Sequence, residues 1–555
     1  MRSAIVLLLT GVAMSATNHA ILGADYIRDL QTQAIEANRA EFGHWGHEPD
    51  NYKSWGSHSN RLIPVYTFGT LNAGDGMDLR SYQGSKSPYR RESELQRIYG
   101  RVPTQTLDNA ANFSDQTNLF QIQQAAITSG KKFVFLVIFD GMDWQTTRAA
   151  AIYKTGRVAY TEGRGTGLHF QDYVANGSTQ FGFICSSPHN NGTKVDTNQQ
   201  TVFNPGGTLF GGYNIERGGP DPWTAGNDLL YPISKNEDQN ACHAYTDSSS
   251  SATSMTAGIK TYNNGVNVDY AGQQVPTIAH IAQERGYAVG AVSSVPISHA
   301  TPASAYAHNV HRDDYQDLTR DMIGLKSISH PDTPLPGMDV VIGGGFGDVR
   351  LKDGKPEKES AVAGDNFVPG NVYLTDADLH AIDVEHGGKY VTAVRTAGLS
   401  GQKHLLASAQ KAAAAKQRLL GFFGNGKFAG HLPFATADGD YRPTIGRSNK
   451  AEEYETADIE ENPSLKDMTD AAITVLSQNP KGFWLMVESG DVDWANHDNN
   501  IDNAIGAVLS GDAAVKSITD WVEQHSNWKE SLLIVTADHG HYLVLESPEK
   551  LIEKK

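Results

Sequence analysis

The 555 residues carry two cysteines, Cys185 and Cys242. That is too few for a disulfide framework; they can form one disulfide in an oxidising compartment or stay as free thiols. Positive charge is also short. Lys and Arg number 46 against 63 Asp and Glu, a formal charge of −17 with His neutral, which argues against a nucleic-acid partner. An acidic chain can still take anionic substrates where metal ions supply local positive charge. Beyond the N-terminus no stretch offers the ~20 continuous apolar residues of a membrane span. Gly-x-Ser-x-Gly, the strained turn that presents many nucleophilic serines, is missing. No internal repeat and no long low-complexity tract interrupts the chain.

What is there describes a water-soluble globular protein. Hydrophobic residues make up 39% and charged residues 20%, with a mean hydropathy of −0.42. The length suits two or three domains, or one large α/β unit with insertions. Residues 1–20, "MRSAIVLLLTGVAMSATNHA", set one Arg before an apolar run that ends in small residues. This reads as an export signal, so the mature chain is expected to be periplasmic or secreted.

Continuous apolar runs recur as "KKFVFLVIFDGM" (131–142), "YAVGAVSS" (287–294), "MDVVIGGG" (338–345), "GFWLMVE" (482–488) and "SLLIVTADHG" (531–540). Such runs suit strands buried on both faces. Helical patterns lie between them. In one, Leu465, Met468, Ala472, Val475 and Leu476 share a face; another begins at Asp115 as its expected N-cap. The alternation predicts a three-layer α/β/α fold with a large, mainly parallel sheet. Residues 165–242 and 346–450 have little periodicity and read as loop and helix insertions. "GFFGNGKFAG" (421–430) imitates a phosphate-binding loop, but Phe428 stands where Ser or Thr is needed; it reads as strand leading into loop.

Ligands gather beyond the carboxyl ends of strands in open α/β sheets, and the polar residues collect there. Asp140 ends one run, Glu488 another, and Asp538 and His539 the last. Asp493 and His497 sit four apart, one helical turn. His299, Thr301 and Arg312 follow the 287–294 run. Singly, each has a plainer reading as turn residue, helix start, strand cap or surface charge. Together, several carboxylates and histidines on one edge demand cations. Mixed nitrogen and carboxylate ligands suit zinc; carboxylates with a hydroxyl suit magnesium.

These pieces resemble the alkaline phosphatase family. The likeness is carried by "DGM" (140–142), "TDSSSSATSMTAGIKTYNNGVNVD" (246–269), "HATPASAYAHNVHR" (299–312), "NPSLKDMTDAA", "VESGDVDWANH" and "TADHGH". It implies phosphate monoester hydrolysis through a phosphoserine on Ser248, with Arg312 as the phosphate clamp. It implies two zinc ions, one held by Asp140, Asp538 and His539 beside Ser248, the other by Asp493 and His497. Asp140, Thr301 and Glu488 match the magnesium site, with His299 and Trp494 at positions where relatives vary. Relatives often form homodimers. Phosphodiesters or sulfate esters are the alternative substrates, and metal or phosphate binding without catalysis is the alternative class.

One ligand is missing. The family's second zinc takes a histidine well downstream of the Asp-His pair, and here only His541 follows. The N-terminal segment "HSNRLIPVYTFG", opening at His58, resembles that final block, as does "DQTNLF" (115–120). The chain therefore reads as a circular permutation. Residues 21–130 would stand for the family's C-terminal block and residues 131–555 for its core, with His58 as the missing ligand. The other readings are that His58 is a loop residue like His44 and His47, or that His541 or a water completes the site.

Overall fold

The computed structural model describes residues 26–208, 210–234, 244–358 and 360–552. The proposed signal (1–20) and Cys242 lie outside them; Cys185 is buried. A ten-stranded sheet organises the molecule. In chain order its strands are β1 (Ile63–Phe68), β2 (Ser114–Asp115), β3 (Phe133–Phe139), β4 (Gln180–Cys185), β5 (Ala288–Pro296), β6 (Val340–Gly344), β7 (Tyr390–Val394), β8 (Arg418–Phe422), β9 (Phe483–Ser489) and β10 (Ser531–Thr536). Their spatial order is β7-β8-β6-β5-β9-β3-β10-β1-β4-β2. The run from β7 to β10 is parallel throughout. β1 alone reverses direction, pairing antiparallel with both β10 and β4. This is the expected three-layer α/β/α class.

The central strands are apolar end to end because helices cover both faces. Val134 to Phe139 of β3 are fully buried. Helix α1 (Thr117–Ser129) packs with α2 (Ser248–Ala257), while α3 (Gly401–Ala415), α4 (Leu465–Leu476) and α5 (Ile501–His525) pack side by side. The five apolar residues expected on one face of α4 are all buried. A reciprocal cap starts this helix: Ser464 Oγ accepts from Asp467 N (3.2 Å), and Asp467 Oδ2 accepts from Ser464 N (3.0 Å).

Two local expectations change. Asp115 lies in β2, one residue before the cap position at Gln116, yet its Oδ1 still accepts from Thr117 N (2.8 Å), the first N–H of α1. Its Oδ2 is buried against Lys260 Nζ (2.9 Å) and Tyr89 Oη (2.7 Å), so one carboxylate serves both the helix start and a buried ion pair. The two stretches read as insertions, 165–242 and 346–450, contain sheet strands: β4 in the first, β7 and β8 in the second. These strands have five or six residues each, too few to show against the surrounding loops. The 421–430 segment runs from β8 into loop, as expected.

Register fixes where the functional residues fall. Glu488 of β9 pairs with Ile138 of β3, and Ile138 with Thr536 of β10. Asp140 and Asp538 each stand two residues past that level, so three carboxylates share the carboxyl edge of three adjacent strands. The antiparallel β1 brings its N-terminal end to the same edge. Ser59 N donates to Gly540 O (2.6 Å) and Gly540 N to Ser59 O (3.2 Å), seating His58 beside His539 and His541.

Candidate active site

Ser248 is the first residue of α2, and Asp247 caps the helix by accepting from Ser250 N (3.0 Å). This end of a helix favours negative charge. Ser248 is 1% exposed; its Oγ lies 3.4 Å from Asp140 Oδ1 and 3.3 Å from His539 Nε2. The other serines are committed elsewhere. Ser249 Oγ donates to Asp247 Oδ2 (2.8 Å), Ser250 Oγ to Asn263 Oδ1 (3.0 Å) and Ser251 Oγ to Asp538 Oδ2 (3.1 Å). Of the four, Ser251 also meets a sheet-edge acid, Asp538, but it is Ser248 whose Oγ meets both an acid and a histidine there.

His539 Nε2 sits 3.3 Å from Asp140 Oδ1 and 3.4 Å from Asp538 Oδ2. Asp140 Oδ2 accepts from Thr301 Oγ1 (3.3 Å), and Asp538 Oδ1 from Gly141 N and His539 N (both 2.9 Å). Gly141 has φ +73°, and a Cβ there would lie 2.6 Å from His541 Nε2 and 3.1 Å from the Asp493 backbone. A larger residue would force the two halves of the site apart. Glu488 is buried and accepts from Ser293 Oγ, while its Oε1 has no hydrogen-bond partner among the described residues.

A second cluster adjoins the first. Asp493 Oδ1 is met by His541 Nε2 at 2.7 Å, His497 Nε2 at 3.4 Å, His58 Nε2 at 3.6 Å and His539 Nε2 at 3.9 Å. Asp493 and His497 share one turn of α6 (Asp491–His497), and the His58 ring stacks on His539 with centroids 3.8 Å apart. His58 Nδ1 faces Thr246 O (3.0 Å) and His497 Nδ1 faces Gly56 O (2.7 Å). A carbonyl cannot donate, so each Nδ1 carries a proton and each ring turns its Nε2 toward the other. Those two nitrogens are 3.0 Å apart. Two bare nitrogens at that distance would repel, so the contact calls for a proton or a cation between them. Orienting a ligating His through a carbonyl on its far nitrogen is a common feature of metal sites. His541 differs, spending Nε2 on Asp493 and so holding that carboxylate in place.

The titration directions carry the same message. Burial, with the charges of Asp538, Asp493 and Glu488, pushes Asp140 well above the usual carboxylate range. Burial pushes Glu488 up to about 7, the Ser293 hydroxyl pulling against it and the Asp538 charge adding to it. Burial also raises Asp493, but His497, His541 and His58 outweigh it and hold that carboxyl well below the normal range. Burial and the neighbouring His539 and His497 rings keep His58 neutral. Crowded acids beside imidazoles are a donor set that fits divalent cations. Ligand atoms of Asp140, Asp493 and His539 lie within 4.8 Å of one another, as do those of His58, Asp493, His497 and His541.

Arg312 Nη1 donates to Asp247 Oδ2 (3.0 Å), next to Ser248 in sequence, and Arg312 Nη2 lies 3.5 Å from His299 Nε2. His299 is buried and packs edge-on against Trp494 (5.5 Å between centroids). All eleven residues singled out from sequence thus meet at one sheet edge. Sequence reasoning missed the supports: Asp247 under Arg312, His541 under Asp493, Ser251 under Asp538 and Ser293 under Glu488. Asp247 and His541 adjoin residues already noted, and that adjacency was the available signal. Ser293 becomes visible only through its register with Glu488.

A covered α/β sheet with two His/Asp clusters at its carboxyl edge defines a metal-binding α/β protein. The chain belongs to the alkaline phosphatase family: residues 224–550 match that family's model. It is 31% identical over 321 residues to alkaline phosphatase 3 of Bacillus subtilis, covering 58% of this chain and 53% of the relative. It is 29% identical over 315 residues to the alkaline phosphatase of Escherichia coli K12, covering 55% and 60%. The chain thus spans little more than half the length of these curated relatives. Among solved structures, the alkaline phosphatase of the Antarctic bacterium TAB5 is 22% identical with a TM-score of 0.42, covering 74% of this chain and 80% of that one.

Proposed function

We propose that the protein hydrolyses phosphate monoesters to an alcohol and inorganic phosphate through a phosphoserine on Ser248. The observation that carries this is the setting of Ser248 Oγ: at a helix N-terminus, within 3.4 Å of Asp140 and His539, with Arg312 tied to the preceding Asp247. Ser248 Oγ forms a bond to phosphorus in line with the departing ester oxygen, which leaves as the alcohol after taking a proton from solvent. Its own proton passes along the contact to Asp140 Oδ1. Water then attacks the phosphoserine and gives up a proton to solvent, Asp140 returns its proton to Ser248 Oγ, and phosphate leaves. Arg312, a planar fork of donors, binds two non-bridging oxygens and holds phosphorus in reach. Asp247 orients that fork, and His541 fixes Asp493.

Zinc held by Asp140, Asp538 and His539, zinc held by His58, Asp493 and His497, and magnesium held by Asp140, Thr301 and Glu488 would supply Lewis acidity and neutralise developing negative charge. The facing Nε2 atoms of His58 and His497 and the Glu488 Oε1 without a hydrogen-bond partner among the described residues support that ligand set. His299 belongs beside the magnesium ligands. The circular permutation draws support from β1, which carries the N-terminal segment into the sheet beside β10. On this reading residues 21–130 stand for the family's C-terminal block and 131–555 for its core. Export of the chain and a homodimer complete the proposal.

Rates of the zinc- and magnesium-loaded chain on an aryl phosphate, a bis-aryl phosphate and an aryl sulfate test the reaction. The monoester should be fastest by far; a faster diester or sulfate, or no turnover, would reject the reading.

A further inference from the structure

A third group of ligating side chains lies among residues that the proposed reaction does not use. His308, Asp321 and His330 each offer one ligand atom, and these atoms lie within 4.8 Å of one another. Asp321 is fully buried in the helix Tyr315–Ile323, which begins just after Arg312. Its Oδ2 accepts from His308 N (3.0 Å), and its Oδ1 from His330 Nδ1 (2.9 Å) and from Ser327 Oγ. His308 is 5% exposed, and its Nε2 faces Val275 O at 3.0 Å. That carbonyl requires the proton on Nε2. Nδ1, the ring nitrogen nearer the main chain that bonds Asp321, therefore carries a lone pair. It is buried with no hydrogen-bond partner among the described residues. An imidazole anchored by a carbonyl on one nitrogen, with the other free beside a carboxylate and a second imidazole, has the form of a metal ligand.

We infer that His308, Asp321 and His330 form a separate zinc site, distinct from the sheet-edge clusters. Two imidazoles and one carboxylate suit zinc better than magnesium or calcium, which prefer oxygen ligands. The His280 ring stacks on His308 (5.2 Å, 10°), closing one side with an aromatic wall. Bound there, zinc ties the turn at His308 to the helix and loop that follow Arg312. It thus braces the segment from which Arg312 projects.

The test counts zinc per chain in the full-length protein equilibrated with zinc and freed of excess, for the wild type, His330→Gln, Asp321→Asn, His58→Ala and the double variant His58→Ala/His330→Gln. His330 is partly exposed (side chain 11%), so its variant should keep the fold, which matching circular dichroism and melting behaviour would check. The expected result is one equivalent fewer in His330→Gln and in Asp321→Asn, and two fewer in the double variant. Zinc-edge anomalous density between the three side chains would locate the ion. Wild-type zinc content in a folded His330→Gln, or zinc-edge density at His58–Asp493–His497 with none at His308–Asp321–His330, overturns this site and leaves the proposed activity standing. Loss in His330→Gln with no loss in His58→Ala supports it while counting against the ligand set proposed for the reaction.

Discussion

The two halves of the candidate active site are assembled in different ways. Asp140, Glu488 and Asp538 stand on three adjacent parallel strands, at levels set by the register of β3, β9 and β10. The His58–Asp493–His497 half joins residues more than 400 positions apart, through one antiparallel strand and two backbone hydrogen bonds between Ser59 and Gly540. The first half follows from sheet geometry alone. The second depends on how the chain's N-terminal part is threaded, so it is where the account is easiest to break.

The largest effect should come from Ser248→Ala. It removes the attacking oxygen and should lower kcat for aryl phosphate by roughly 10⁴-fold or more. A loss under tenfold would move the nucleophile elsewhere. Next is His58→Ala, which should cost one zinc and more than about 100-fold in activity, whereas His44→Ala should keep both. His44 is buried close by but faces Glu546 rather than Asp493. Elemental analysis of the two variants side by side therefore separates a ligand from a neighbouring histidine. His541→Ala releases the 2.7 Å hold on Asp493 and should weaken metal binding by about 10–100-fold, read by chelator competition. Asp247→Asn should act on the other half. It loosens Arg312 and raises KM for the monoester more than it lowers kcat, by about tenfold.

The last effect is on stability rather than on turnover. The native pKa of Glu488 is raised from 4.5 to about 7. The native state therefore holds its proton more tightly than the unfolded chain does. Stability from this group is fully present below pH about 4.5 and is lost as pH rises through about 7. The loss is on the order of 3 kcal/mol for the metal-free protein. Asp140 acts with the same sign. Asp493, held low, acts oppositely, and its contribution disappears only as pH falls below the normal carboxylate range. The buried His280, His299, His308 and His541 rings, all pushed low, gain stability over the same window, so the test is the difference between chelated wild type and Glu488→Gln, and the wild type's stability relative to the variant should fall between pH 4.5 and 7. A difference that stays level or rises across that window would contradict the crowded-carboxylate picture.

The same contrast explains what the sequence made legible. Long apolar runs ending in Asp140, Glu488 and Asp538 announce both strand and site edge, because burial on two faces leaves one reading of such a run. His58 was legible only as half of a broken motif. Asp115 was half legible: an acid before a helix does meet its first N–H, but only the fold brings Lys260 to its other oxygen. The short strands β4, β7 and β8 hid among glycine, asparagine and charged residues. His308, Asp321 and His330 were silent, since nothing in their spacing forecasts that a loop returns His330 to Asp321.

The most direct test mixes metal-loaded protein with an aryl phosphate, quenches in acid and locates the phosphate on the chain by peptide mass spectrometry. Phosphate on Ser248 is the predicted result. An unmodified 244–258 segment despite turnover, or phosphate on Ser249, would contradict the account.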